Sequence, residues 1–223
     1  EDYLKRPEEK NNKIIYKTLK NNDLDKNILR PFKKPFSSNG GINVVTGNIG
    51  KGIVKLSSVK SIHQKICEQA EIFETQEEFS KAFEKGSLNK NCVVVIRGQG
   101  PKSNGMPELH SLNPILSVIQ NLGYRIALIT DGRMSGASGS VLTVVHVNPE
   151  TNDGGVISKI KKSDFIEIDA QKGTMNVKIS NKLLDKRLAS YTSTDYSSGY
   201  GRELFKTNRK QVTSSDTGAI SLG

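Results

Sequence analysis

The sequence contains no tryptophan, only two cysteines and only three histidines among 223 residues, and each scarcity removes a class of function. Cys67 and Cys92 lack CxxC spacing, so they cannot by themselves hold a structural zinc or an iron–sulfur cluster; both read as reduced thiols. His63, His110 and His146 are too scattered for a His-x-x-x-His metal site, and a lone His146 in an apolar run reads as core, so none is assigned chemistry. No apolar run approaches the roughly 18 residues of a membrane helix, and Glu1-Asp2-Tyr3-Leu4-Lys5-Arg6 lacks the apolar stretch of a secretory signal. A soluble, cytoplasmic protein with no membrane partner is expected. Because the chain starts with Glu rather than Met, it is expected to be part of something longer.

Arginine is also scarce. The formal charge is +10, but 25 of the 33 basic residues are lysine. By segment the net charge is +4 over 1–40, +2 over 41–150 and +4 over 151–223, so the glycine-rich middle is nearly neutral. There is no arginine cluster and no basic–aromatic interleaving of the kind single-strand binders use. Lysine spread among Asn and Glu reads as solvated surface, and no nucleic-acid partner is expected.

What is present is one domain's worth of chain, long enough to bury about 70% of its unfolded surface without staples. Residues 1–36 are polar, with one apolar stretch at Ile14-Ile15-Tyr16, and read as a linker or the tail of a preceding domain; 37–223 read as the domain proper. Two β-branched runs, Ile42–Thr46 and Gly52–Leu56, flank the turn Gly47-Asn48-Ile49-Gly50. Phe79, Ala82 and Phe83 fall at helical spacing behind Thr75 and Glu78, a capping-box pair, with a stop at Gly86. Cys92–Ile96 and Ile126–Ile129 do not alternate and read as strands buried on both faces, joined by a helix through Ile115, Val118, Ile119 and Leu122. A further strand is expected over Val141–Val147. Phe165–Asp169 and Met175–Ile179 alternate as a hairpin, and Leu204 and Phe205 are expected in a last helix starting near Gly201.

Two loops leave the carboxyl ends of buried strands, where α/β sheets build sites. Gly98–Glu108 is not a Walker loop, since Met106-Pro107 stand where Lys and Ser/Thr are needed, and Ser103 replaces the third glycine of a dinucleotide fingerprint. In Asp131–Gly139, two residues separate Gly132 from Ser135 where G-x-S-x-G has one, so a hydrolase elbow is not supported. Glu108, just after Pro107, reads as either the cap of the next helix or a ligand for a hard metal. Asp131 and Arg133 make a polar loop that is equally consistent with an ordinary turn.

Gly100-Pro101-Lys102-Ser103-Asn104-Gly105-Met106-Pro107-Glu108-Leu109, followed by Thr130-Asp131-Gly132-Arg133-Met134-Ser135-Gly136-Ala137-Ser138-Gly139, resembles the carboxyl-terminal part of the dihydroxyacid and sugar-acid dehydratase family. Leu29-Arg30-Pro31, Pro35-Phe36, Gly40-Gly41 and Thr46–Gly50 support the match. His146–Glu150 and Gly201–Phe205 favour its phosphogluconate branch. The resemblance runs from about residue 24 to the end.

The resemblance implies a mixed, β-rich α/β fold: a β-barrel-like swivelling domain with flanking helices. It also implies a hydro-lyase that dehydrates 6-phospho-D-gluconate to 2-dehydro-3-deoxy-6-phosphogluconate in the Entner–Doudoroff pathway. An amino-terminal domain outside this chain would carry the ligands of an iron–sulfur cluster and most of a magnesium site, and a homodimer is expected. By motif position, Ser135 would be the base that removes the C2 proton and Glu108 a magnesium ligand. A serine hydroxyl is a poor base unless a metal lowers its pKa, which makes that pairing sensible. Arg133 would bind the substrate carboxylate or phosphate, or else pair with Asp131; Lys102, Ser103 and Gly201-Arg202 are candidates for phosphate contacts. Without the cluster the 223 residues alone are expected to be inactive. Dihydroxyacid or other aldonate dehydration, and a non-catalytic sugar-phosphate-binding domain, are the alternatives.

Overall fold

A computed structural model of the chain describes residues 5–18, 25–38, 40–135, 139–191 and 204–221. It divides into two compact units, Glu1–Gly40 and Gly41–Gly223. The first unit, expected as a linker, contains an antiparallel hairpin of β1 (Lys5–Lys10) and β2 (Lys13–Thr18). The two-residue connection explains it: Asn11 and Asn12 both have positive φ, 53° and 57°, as a type I′ turn requires and asparagine tolerates.

The second unit is a closed barrel of eight strands with a few flanking helices, the mixed, β-rich architecture expected. Its strands are β3 (Ile42–Gly47), β4 (Gly50–Lys55), β5 (Lys65–Phe73), β6 (Cys92–Ile96), β7 (Ile126–Thr130), β8 (Leu142–Asn148), β9 (Phe165–Asp169) and β10 (Thr174–Val177). Around the barrel they run β10-β3-β4-β8-β7-β6-β5-β9. β5 to β8 are parallel to one another, while β3, β4 and β8 form antiparallel pairs, as do β9 and β10.

Two cores meet in the wall. Val93, Val95, Ala127 and Ile129 point into the barrel with Val45, Val144, Ile166 and Ile168. Cys92, Val94, Ile96 and Leu128 point outward against α1 (Gln76–Glu84) and α3 (Leu112–Asn121), through Phe79, Leu116 and Ile119. With both faces of β6 and β7 buried, every position is apolar and the period-two signal vanishes. α1 starts as its sequence dictates: Glu78 N donates to Thr75 Oγ1 at 3.1 Å and Thr75 N to Glu78 Oε2 at 3.3 Å, a cap worth about 1 kcal/mol.

β5 carries a weak sequence signal because Glu68, Gln69 and Glu71 interrupt its apolar residues. Glu71 is nevertheless buried, and Lys90 and Lys162 neutralise it from outside. Leu204 and Phe205 are not inside the last helix: after α4 (Asn181–Lys186), α5 spans Lys206–Gln211, with Phe205 at its cap position. The expected start at Gly201 lies outside the described residues.

Closure of the barrel falls to side chains. β10 and β3 share one ladder pair, Thr174 with Thr46. Beyond it, Asn48 pairs with the peptide of Val177: Val177 N donates to Asn48 Oδ1 at 2.8 Å, and Asn48 Nδ2 to Val177 O at 2.8 Å. Asn48 N in turn donates to Asn176 Oδ1 at 2.9 Å. A Cβ on Gly47 would stand 1.9 Å from Met175 O, so this approach requires glycine. Among the described residues no helix is long and apolar enough to cross a membrane.

Candidate active site

β6, β7 and β8 are parallel neighbours, so the segments after Ile96, Thr130 and Asn148 emerge at one end of the barrel. Asp131 fastens them together. Its carboxylate, 0% exposed, accepts Gln99 N at 2.8 Å, Thr151 N at 2.9 Å and Gly98 N at 3.2 Å. Three backbone donors compensate a buried charge that would otherwise be prohibitively costly. Asp131 is therefore the brace of the site and not the partner of Arg133.

Glu150, 2% exposed, occupies the start of the short helix α2 (Pro101–Asn104). Its Oε1 accepts Lys102 N at 3.0 Å and Ser103 N at 3.1 Å. Burial, with Asp131 and Asp153 nearby, pushes its carboxyl up to about 7. Gly100 makes room for it, since a Cβ there would lie 1.7 Å from Glu150 Oε2. Lys102 and Ser103 thus take part first in the scaffold. Lys102 Nζ sits 2.8 Å from both oxygens of Asp153, and Ser103 is buried and its hydroxyl finds no hydrogen-bond partner among the described residues.

Glu108, Arg133 and Ser135 are brought together. Glu108 and Arg133 form an isolated parallel bridge, with Leu109 N donating to Arg133 O at 3.2 Å. The Glu108 carboxylate divides its oxygens: Oε1 accepts Ser135 N at 2.7 Å, and Oε2 accepts Arg133 Nη1 at 3.1 Å. Arg133 Nε donates to Met106 O at 2.7 Å, which fixes the plane of its guanidinium. Glu108 does not cap α3, which starts at Leu112 with Ser111 in the cap position. Its side chain remains 37% exposed, so an oxygen-seeking ligand can reach it.

Ser135 opens onto a small cavity of about 170 Å3 whose wall includes Ile42, Ile53, Val145 and His146. His146 sits where β8 slips register against β4, at φ 56°, and donates its N–H to Gly132 O at 2.9 Å. Burial, and then the Arg133 cation, hold its imidazole below the usual histidine range, so it faces Ser135's cavity neutral at pH 7. The sequence offered no sign of this, because the positive φ that turns His146 toward the cavity lies in what reads as a plain strand. Gly136, Ala137, Ser138, Gly201 and Arg202 lie outside the described residues.

The described residues hold no group of three His, Cys, Asp or Glu side chains able to bind a metal. The Glu108 carboxylate and the Ser135 hydroxyl are hard oxygen donors of the type magnesium takes, and they suit a part of its shell. The thiols do not fit a cluster: Cys67 is exposed on β5, while Cys92 is buried in the wall with its thiol pushed up to about 12 by desolvation.

A family model described as the C-terminal part of dihydroxy-acid/6-phosphogluconate dehydratase matches residues 27–219. The chain belongs to the dihydroxy-acid/6-phosphogluconate dehydratase family. Over 230 residues it is 41% identical to a phosphogluconate dehydratase of Helicobacter pylori, covering 100% of this chain and 38% of that protein. Over 220 residues it is 39% identical to a phosphogluconate dehydratase of Pseudomonas aeruginosa, covering 99% and 36%. A dihydroxy-acid dehydratase of Sulfurisphaera tokodaii is 37% identical over 201 residues, covering 87% and 34%. The chain thus spans under two fifths of the length of these family members, and it corresponds to their carboxyl-terminal part.

Proposed function

We propose that this chain is the carboxyl-terminal domain of a hydro-lyase that converts 6-phospho-D-gluconate to 2-dehydro-3-deoxy-6-phosphogluconate and water, in the Entner–Doudoroff pathway. The observation that carries the reading is Glu108 holding the Ser135 backbone beside Arg133 at the barrel end. The names of the relatives supply the substrate. Ser135 Oγ, ionised, takes the proton from C2, the C3–O bond breaks, the departing hydroxide takes up that proton to leave as water and restores the ionised serine, and the enol left behind tautomerises to the 2-keto acid. Arg133 places a fixed positive charge where the substrate carboxylate gains negative charge as the C2 proton leaves. The Glu108 hydrogen bond sets the position of the Ser135 backbone, so the base is oriented before substrate arrives. Magnesium bound at Glu108 would supply positive charge to the substrate carboxylate and favour the ionised serine.

An iron–sulfur cluster would take its ligands from outside this chain, because neither Cys67 nor Cys92 suits one. In this reading the whole enzyme is cytoplasmic and homodimeric, and the 223 residues alone release no 2-keto acid. In the enzyme that contains this chain, Ser135→Ala is expected to lower turnover of 6-phosphogluconate at least 100-fold, measured as 2-keto acid release. Undiminished turnover would remove Ser135 from the chemistry and favour a sugar-phosphate-binding domain.

A further inference from the structure

Beside the Ser135 site lies a cleft of about 560 Å3, within the size range of small-molecule sites. One wall is the α2 segment, at Pro101 and Asn104 to Met106; the other is α5, with Phe205 before it and Val212 after. α5 has only six residues and no side-chain cap, so packing against α2, not propensity, must hold it in place. Among the described residues the charged groups lining the cleft are two arginines, Arg133 and Arg209, and none is a carboxylate. Amides of Asn104 and Asn208 and the hydroxyl of Ser221 add neutral polar groups. In a chain where Asp and Glu make up 23 of 223 residues, a cleft whose lining charges are all guanidinium is selective for an anion.

Arg133 lines the cleft while it is engaged by Glu108 and the Met106 carbonyl, and the same Glu108 holds the Ser135 backbone. Arg209 is half-buried on α5 and lines the same cleft. A linear sugar acid with its carboxylate at Arg133 would place its other end in the cleft that Arg133 and Arg209 both line.

We propose that this cleft receives the phosphate monoester at the far end of the substrate, with Arg209 as the specificity-determining residue. The inference rests on the dehydratase reading and adds the place where a phosphorylated acid is told from a bare one. A guanidinium matches phosphate oxygens two at a time, and the apolar walls at Met106, Phe205 and Val212 limit competing water. Lys102, tied to Asp153, is not needed for this.

The test uses the enzyme that contains this chain. Arg209→Met keeps an unbranched apolar stem, and Arg209→Lys keeps the charge but not the fork. The ratio of kcat/KM for 6-phosphogluconate to that for gluconate should fall about 100-fold in Arg209→Met through KM, and recover in part in Arg209→Lys. Inorganic phosphate should compete with 6-phosphogluconate in the unaltered enzyme and lose at least 10-fold in inhibition constant in Arg209→Met. An unchanged ratio, or equal losses on both substrates, would overturn the proposal while leaving the dehydratase reading intact. If the unaltered enzyme dehydrates neither acid, the dehydratase reading fails. Equilibrium dialysis with inorganic phosphate then decides the cleft, where equal binding by unaltered and Arg209→Met protein would overturn it.

Discussion

Asp131 and Glu150 are buried carboxylates held by backbone N–H groups, whereas Glu108, on the loop from the neighbouring strand, is partly exposed and carries an arginine. All three are acidic residues at one end of one barrel. The difference lies in what each would lose: a buried carboxylate stripped of its donors has no water to turn to, and donors stripped of their carboxylate are equally stranded. Burial therefore makes Asp131 and Glu150 parts of the frame. Exposure leaves Glu108 able to exchange ligands, as a site for a cation and a substrate requires.

This contrast can be broken by substitution. The largest effect on stability is expected from Asp131→Ala, which orphans buried N–H groups on Gln99 and Thr151 and weakens that of Gly98; the cost should be roughly 3–5 kcal/mol in denaturant unfolding. A loss under about 1 kcal/mol would mean that the three segments are joined by something else.

Glu150 should reveal itself through pH. In the unfolded chain its carboxyl titrates near 4.5 and in the fold at about 7. Below pH 4.5 both states hold the proton. As pH rises from there through 7, the unfolded chain releases it first, and the fold loses about 3 kcal/mol. Glu150→Gln keeps an acceptor for Lys102 N and Ser103 N but cannot ionise. It should match the unaltered protein at pH 4.5 and exceed it at pH 8, with the gap opening across that window in thermal melts. Parallel pH profiles for the two proteins would show that Glu150 is not a buried acid.

Glu108→Gln marks the small end. An exposed ion pair contributes on the order of 0.5 kcal/mol, so the unfolding midpoint should barely move, although turnover in the whole enzyme should fall steeply. A stability loss as large as that of Asp131→Ala would erase the distinction drawn between them.

Elements with one dominant local signal were legible in the sequence: Thr75 and Glu78 announced α1, and the unbroken apolar run of β6 announced a strand buried twice over. β5 was hidden because its glutamates are neutralised by cations distant in sequence, Glu71 by Lys90 and Lys162 and Glu68 by Arg125. At the site, Ser135, Arg133 and Glu108 could be named from motif order, but the division between frame and reactive group could not. Asp131 is one residue before Gly132 and reads as a loop acid until burial is known. Arg209 and His146 entered only through three-dimensional proximity, one from a short terminal helix and one from a strand bulge.

The seam between β3 and β10 gives a different role to one of the segments that carried the resemblance. Thr46-Gly47-Asn48-Ile49-Gly50 contributes no side chain to the Glu108–Ser135 cluster; it supplies the glycine and the asparagine that fasten the barrel shut. A side-chain amide standing in for a strand residue gives the wall a latch: a discrete closure where the first and last strands of the sheet join. Opening at that latch would leave an unsealed sheet edge and uncover the interior core at Val45 and Val177. Amide exchange at Val177 therefore reports how often the barrel opens, independently of anything that happens at the Glu108–Ser135 end.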